Sequence, residues 1–173
     1  VGFTENNALQ INLISGALSI IACIITIKVV DRIGRKPLLL VGALVMFISL
    51  SMLALSFANS IKLPNGSLEL GNYGKLALVS ANLYVFVFNM TWGPVMWVML
   101  GEMFPNQCRG KALGLSGLSQ WGANFIVTLT FPLLLQFIVL TITYTLYALF
   151  SLIAFLFVFI FITETKGKEL EAM

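Results

Sequence analysis

The chain has 173 residues, of which 59% are hydrophobic, only 10% are charged and none is histidine, and its mean hydropathy is +0.98. A soluble domain carries about a quarter charged residues. These residues therefore cannot clothe a globule in polar surface, and a soluble enzyme, a nucleic-acid binder and a disordered tail are excluded.

The net charge of +3 follows from where the cations sit. Charged residues divide the chain into silent stretches: Asn6 to Ile27, Pro37 to Ile61, Leu76 to Gly101 and Ala112 to Thr163. A helix needs about 20 apolar residues to cross roughly 30 Å of hydrocarbon. The first three stretches hold 22, 25 and 26 residues, one crossing each, and the last holds 52, enough for two. A turn is expected near Pro132 to Gln136, where proline and glutamine interrupt a Leu/Phe-rich run. Barrel strands would be about 10 residues long with alternating polarity. Runs such as Phe155-Leu156-Phe157-Val158-Phe159 do not alternate. The prediction is an all-α membrane protein with five transmembrane helices, over roughly 8–30, 37–59, 76–100, 112–134 and 138–162.

Basic residues orient the spans. Lys28, Arg32, Arg35 and Lys36 follow the first, Arg109 and Lys111 separate the third from the fourth, and Lys166 and Lys168 follow the fifth. With five crossings all eight share one face, leaving Lys62 and Lys75 opposite. The N-terminus is then outside and residues 163–173 form a cytoplasmic tail. Residues 60–75 form an external loop, in which Asn65-Gly66-Ser67 matches the N-glycosylation pattern. The opening Val1-Gly2-Phe3-Thr4-Glu5 has neither an initiator methionine nor a basic start. It reads as the cut edge of a longer protein. Cys23 in mid-span and Cys108 in a cytoplasmic turn are too far apart to pair.

Nothing offers a hydrolytic or redox centre. The seven acids are Glu5, Asp31, Glu69, Glu102, Glu164, Glu169 and Glu171, all in loops, at span edges or in the tail. Metal-ligand spacing is absent, so an enzyme is a poor reading, and neither metal nor cofactor is expected. Two cytoplasmic turns concentrate charge: Asp31-Arg32-Ile33-Gly34-Arg35-Lys36-Pro37, and Gly101-Glu102-Met103-Phe104-Pro105-Asn106-Gln107-Cys108-Arg109-Gly110-Lys111. Glu102 at a membrane edge wants a cationic partner, with Arg35 and Arg109 the candidates. Acids, cations and conformational residues together suggest a salt-bridge latch.

The third and fourth spans hold the polar content. Trp92-Gly93-Pro94-Val95-Met96-Trp97 puts the helix-breaking Gly93-Pro94 inside the third span, freeing backbone carbonyls at depth. In the fourth, Ser116, Gln120 and Asn124 recur every four residues and share one face. Gln120 lies nine residues beyond Lys111, roughly 13 Å along the axis at ~1.5 Å per residue. That is near the midplane, where alternating-access transporters bind substrate. Amide side chains match vicinal hydroxyls, and indole faces such as Trp97 and Trp121 pack on sugar C–H faces. Interhelical glue is the competing role for the amides, and interface anchoring for the tryptophans. A polyol, an organic acid or a drug on the same fold, or a non-transporting remnant, are alternative readings.

Five ordered motifs resemble the sugar porter family of the major facilitator superfamily, closest to bacterial xylose–proton symporter-like members. They are Asp31-Arg32-Ile33-Gly34-Arg35-Lys36, Trp92 to Pro105, Arg109-Gly110-Lys111-Ala112, Gln120-Trp121 with Asn124, and Glu164-Thr165-Lys166-Gly167. The resemblance implies helices 8–12 of a twelve-helix transporter in the cell membrane, working by alternating access with a missing N-terminal half. It implies a monosaccharide substrate and proton coupling in the full-length protein. Trp97, Gln120 and Trp121 match sugar-contacting positions, with Asn124 one turn from Gln120. Asp31, Arg32, Arg35, Glu102, Arg109 and Glu164 match a cytoplasmic gating network, and Gly93-Pro94 the flexible point of helix 10. Thr163 stands where the family's tail motif has proline, and Ser19 where helix 8 usually has asparagine.

Overall fold

A computed structural model describes residues 5–62, 68–71, 73–137 and 139–166. Six helices follow in order: α1 (Glu5–Ile33), α2 (Arg35–Ala58), α3 (Tyr73–Met90), α4 (Trp92–Met103), α5 (Arg109–Phe137) and α6 (Leu140–Phe161). Between α2 and α3, β1 (Ile61–Lys62) pairs antiparallel with β2 (Leu68–Glu69), Ile61 opposite Glu69 and Lys62 opposite Leu68. The Asn65-Gly66-Ser67 triplet and Lys168 lie outside the described residues.

Apolar stretches become helices because an apolar surround offers no water to unpaired N–H and C=O groups. Hydroxyls in these helices obey the same demand. Ser49, Ser56 and Ser80 are buried, and each donates to the carbonyl four residues earlier. Four segments are long and apolar enough to cross a membrane: Gln10–Ile33, Arg35–Ala58, Tyr73–Met103 and Leu140–Phe161. α5, with 29 residues, is long enough but is not among these four; Ser116, Gln120 and Asn124 interrupt its apolar run.

α2 is the central packing element, lying against both α3 and α6, while α1 packs on α3. Leu38 and Leu39 of α2 meet Val30, Val95, Met99 and Val158 in one buried cluster. Leu53 and Phe57 meet Leu70 and Ala77 in another, with the Phe57 ring stacked on Tyr144 at 5.3 Å. Two α2 carbonyls one turn apart take hydrogen bonds from neighbouring helices. The Trp92 indole N–H donates to Leu39 O (3.0 Å) and the Ser151 hydroxyl to Ala43 O (3.2 Å).

Two expectations about breaks need correction. The interruption of the third span falls at Thr91, the residue between α3 and α4, and not at Gly93-Pro94. Pro94 occupies the first turn of α4, where a missing N–H is tolerated, and the ladder it cannot complete lies upstream. Second, α5 runs through Pro132 to Phe137, so no turn forms at 132–136. One lost hydrogen bond costs less than the several unpaired groups of an open turn.

The close contact of α2 with the break depends on Gly42. A Cβ there would clash with the Thr91 side chain. Gly42→Ala is expected to lower stability by about 1–3 kcal/mol, read as the thermal midpoint of the detergent-solubilised protein. An unchanged midpoint would show that α2 does not press on Thr91.

Candidate functional site

The charged turns come together at one end of the bundle. Arg35 Nη2 lies 2.7 Å from Glu102 Oε1 and 3.1 Å from Asp31 Oδ1, so one guanidinium joins the end of α1, the start of α2 and the end of α4. The second Glu102 oxygen accepts from the Thr165 hydroxyl at 2.6 Å. Arg35 is largely shielded by this packing and Glu102 partly so, whereas Asp31 is exposed, which makes the Glu102 pair the stronger of the two. Of the two cations offered to Glu102, the structure pairs it with Arg35. Arg109 instead donates from Nε to Phe104 O (3.2 Å), and its Nη2 has no partner among the described residues. Arg32 forms no ion pair among the described residues, and its carbonyl accepts from Lys166 Nζ.

Glu164 acts as a helix cap rather than as an ion-pair partner. A helix leaves its first N–H groups without intrahelical acceptors. At α2, Arg35 N donates to Glu164 Oε1 and Lys36 N to Oε2, both at 3.0 Å, while Pro37 has no N–H to satisfy. Gly34 N, just outside, bonds to Val30 O at 3.1 Å. The carboxylate also receives Lys166 N. Gly34 makes this approach possible twice over: its φ is 104°, and a Cβ would lie 2.7 Å from Glu164 Oε2. Burial pushes the Glu164 carboxyl up, but the N–H groups of Lys166, Arg35, Lys36 and Thr165 together outweigh it and hold the group below its ordinary value. Lys36 completes the arrangement by donating from Nζ to Phe159 O near the end of α6 (3.0 Å). None of this capping was legible from local sequence, since Glu164 lies 129 residues from Arg35.

The amide and indole residues lie on α4 and α5. The Trp97 ring reaches Gly117, whose Cβ position is 3.6 Å from the ring edge, so glycine there leaves room for the indole. Gln120 lies one turn further along α5, its Oε1 buried and without a partner among the described residues. Asn124 borders a cavity of ≈ 520 Å³ with Tyr84, Phe88, Trp92, Tyr147 and Phe150. Trp121 is 71% exposed and Trp97 36% exposed. Trp97 meets α5 at Gly117, Asn124 faces the cavity and Trp121 is exposed, so the four residues are not closed into one pocket. Among the described residues no cluster is placed to hold a metal ion. Sequence reasoning passed over Thr165, Ser151 and the roles of Thr26 and Trp92. Hydroxyls in apolar helices are the signal that could have drawn attention to Ser151 and Thr26.

Long apolar helices, one of them broken at depth, are the architecture of a helical membrane protein, and the fold is that of the major facilitator superfamily. Residues 1–173 match the profile of the sugar (and other) transporter family, and the chain belongs to that family. It is 46% identical over 173 residues to the glucose transport protein of Synechocystis, covering all of this chain and 37% of that protein. It is 37% identical over 179 residues to the D-xylose-proton symporter of Escherichia coli K12, covering all of this chain and 34% of the symporter. A solved proton:xylose symporter bound to 6-bromo-6-deoxy-D-glucose superposes with a TM-score of 0.84 at 37% identity, over 99% of this chain and 35% of that one. The chain thus spans about a third of the length of these relatives.

Two outcomes follow from the charged cluster. Arg35→Gln removes both ion pairs and should lower stability by about 2 kcal/mol, whereas Arg109→Gln should change it by less than about 0.5 kcal/mol; equal losses in thermal unfolding would contradict the pairing. Because the folded Glu164 carboxyl titrates below its ordinary value near 4.5, its capping contribution is complete above that value and disappears as pH falls through the folded pKa. Amide exchange at Arg35 and Lys36, corrected for intrinsic rates, should stay slow at neutral pH and accelerate only once the pH has fallen below the ordinary carboxyl value. Acceleration already near pH 6 would mean that the carboxylate does not cap α2.

Proposed function

We propose that this chain forms part of the C-terminal half of a twelve-helix sugar transporter of the cell membrane. Its helices supply five crossings equivalent to helices 8–12, with the N-terminus outside and the C-terminal tail in the cytoplasm. α3 and α4 together make one crossing, and α5 makes the fourth. The family membership and the names of the relatives support a monosaccharide, pentose or hexose, as the substrate.

The observation that carries the reading is Gln120, an amide on an uncharged stretch of helix, with a buried carbonyl oxygen that has no partner among the described residues. A polar face that dilutes a membrane helix has to meet protein or water, because lipid cannot satisfy it. Along the α4–α5 seam the groups on offer are neutral donors, acceptors and indole planes. They suit a neutral polyhydroxylated solute and not an anion. Trp97, Gln120, Trp121 and Asn124 are the sugar contacts in this proposal, the exposed Trp121 facing a cleft closed by the N-terminal half of the transporter.

Asp31, Arg35, Glu102 and Glu164, with Arg32 and Arg109 beside them, would hold the cytoplasmic ends of the helices together while the site faces outward, and separate when it opens inward. Proton coupling is proposed from the D-xylose-proton symporter relative. No acid lies inside the apolar stretches of this chain, so the proton carrier would belong to the other half.

The test is uptake of radiolabelled xylose and glucose by the complete transporter that carries this segment. Trp97→Ala and Gln120→Ala should each weaken sugar binding by about tenfold, the cost of one lost hydrogen bond or stacking partner. Unchanged affinity in both variants would reject the site.

A further inference from the structure

Pro94 has no N–H, so the carbonyl of Met90, four residues earlier, has no helical donor. α3 ends at that residue, which leaves the Met90 carbonyl outside its ladder. Two side chains of α1, one turn apart, reach this end of α3. Thr26 Oγ1 lies 2.6 Å from Met90 O, and Cys23 Sγ lies 3.7 Å from Asn89 O. The Thr26 hydroxyl also lies 2.8 Å from Ala22 O, the acceptor a threonine uses by default inside a helix. A hydroxyl has one proton to give. Ala22 O sits in the interior of α1 and takes a backbone N–H there. The Met90 carbonyl has only Thr26 among the described residues. Thr26 is 4% exposed, so water does not compete for the contact.

The same face of α1 continues away from the joint. Asn89 Nδ2 donates to Ser19 Oγ at 3.2 Å, and Ser15 Oγ donates to Asn82 Oδ1 at 2.7 Å. On its other side the joint is held by α2, through Trp92 Nε1 on Leu39 O and the contact of Thr91 with Gly42. The break is thus clasped between two helices at a fixed angle. Trp97 lies five residues past Trp92, roughly 7.5 Å along α4. Any rotation at the joint therefore moves the indole off Gly117.

We propose that Thr26 is the positioning residue of this joint. By holding the Met90 carbonyl it sets the angle at which α4 leaves α3, and through that angle the place of the Trp97 ring on the α4–α5 seam. Its consequence for uptake rests on the transport reading above; the joint itself does not. Thr26 touches no sugar in this scheme. Its hydroxyl is needed because Pro94 removes the donor that Met90 would otherwise have.

That dependence gives a test in the complete transporter. Thr26→Val keeps the shape and removes the proton, Thr26→Ser keeps the proton, and Pro94→Ala returns a backbone N–H to Met90 O. Thr26→Val should lower uptake at limiting sugar by about tenfold, chiefly through a raised KM, while Thr26→Ser should stay within about twofold. On the Pro94→Ala background, Thr26→Val should cost less than about twofold, because coupled sites are not additive. A Thr26→Val loss that Pro94→Ala leaves undiminished, or no loss at all, overturns the proposal. If Thr26→Val lowers the yield of folded protein, recovery of yield by Pro94→Ala supports the proposal and no recovery overturns it. The same cycle read as thermal midpoint needs no sugar. A parent without uptake but with a coupled thermal cycle would reject the transport reading and keep the joint.

Discussion

An apolar surround gives a backbone nothing to bond to but the protein itself, and this bundle is organised by that constraint. Where helices are continuous, the ladder satisfies it. Where they stop or break, donors and acceptors must come from elsewhere in the chain. The start of α2 takes both carboxylate oxygens of Glu164, and the break between α3 and α4 takes the Thr26 hydroxyl. In each case a residue far along the chain supplies what a local cap would supply in water-soluble proteins. The result is cross-linking as well as satisfaction, since every such bond ties a helix to a distant part of the chain.

The two ends of the site are built from different chemistry. At the charged end, Arg35, Asp31, Glu102 and Glu164 draw α1, α2, α4 and the segment after α6 into one cluster through charge-assisted hydrogen bonds. Such bonds are strong while packed and weaken once water enters, which would suit the opening proposed for this contact. In the middle of the bundle the bonds are neutral, made by hydroxyl, amide and indole groups on backbone carbonyls. They carry no charge to desolvate and stay closed. In the proposed transporter this contrast places the moving parts at the helix ends and leaves the seam of α4 and α5 to hold the passenger.

Much of this was open to inspection in the residues. Absence of charge over long runs dictates helix, because nothing else in an apolar phase satisfies the backbone, and five motifs in the right order dictate family. The amide face of α5 shows in the spacing of Ser116, Gln120 and Asn124. Reading Gly93-Pro94 as the break itself missed by two to three residues, because proline disturbs the turn before it and not the turn it occupies. Pro132 misled in the opposite way, since a helix that has no water to turn towards carries a proline through. Glu102 shows in the sequence as an acid in need of a cation, but the cation nearer along the chain, Arg109, is not the one it meets; the distant Arg35 is.

Composition and order alone therefore determined a helical, membrane-embedded chain and its membership of the sugar (and other) transporter family, because both rest on local periodicity and on motif succession. Tertiary packing decided which arginine meets Glu102, which helix Glu164 caps, and which hydroxyl reaches the carbonyl that Pro94 leaves open. Those partners stand 67, 129 and 64 residues apart. No local period encodes such pairs, since each is fixed by how whole helices lie against one another.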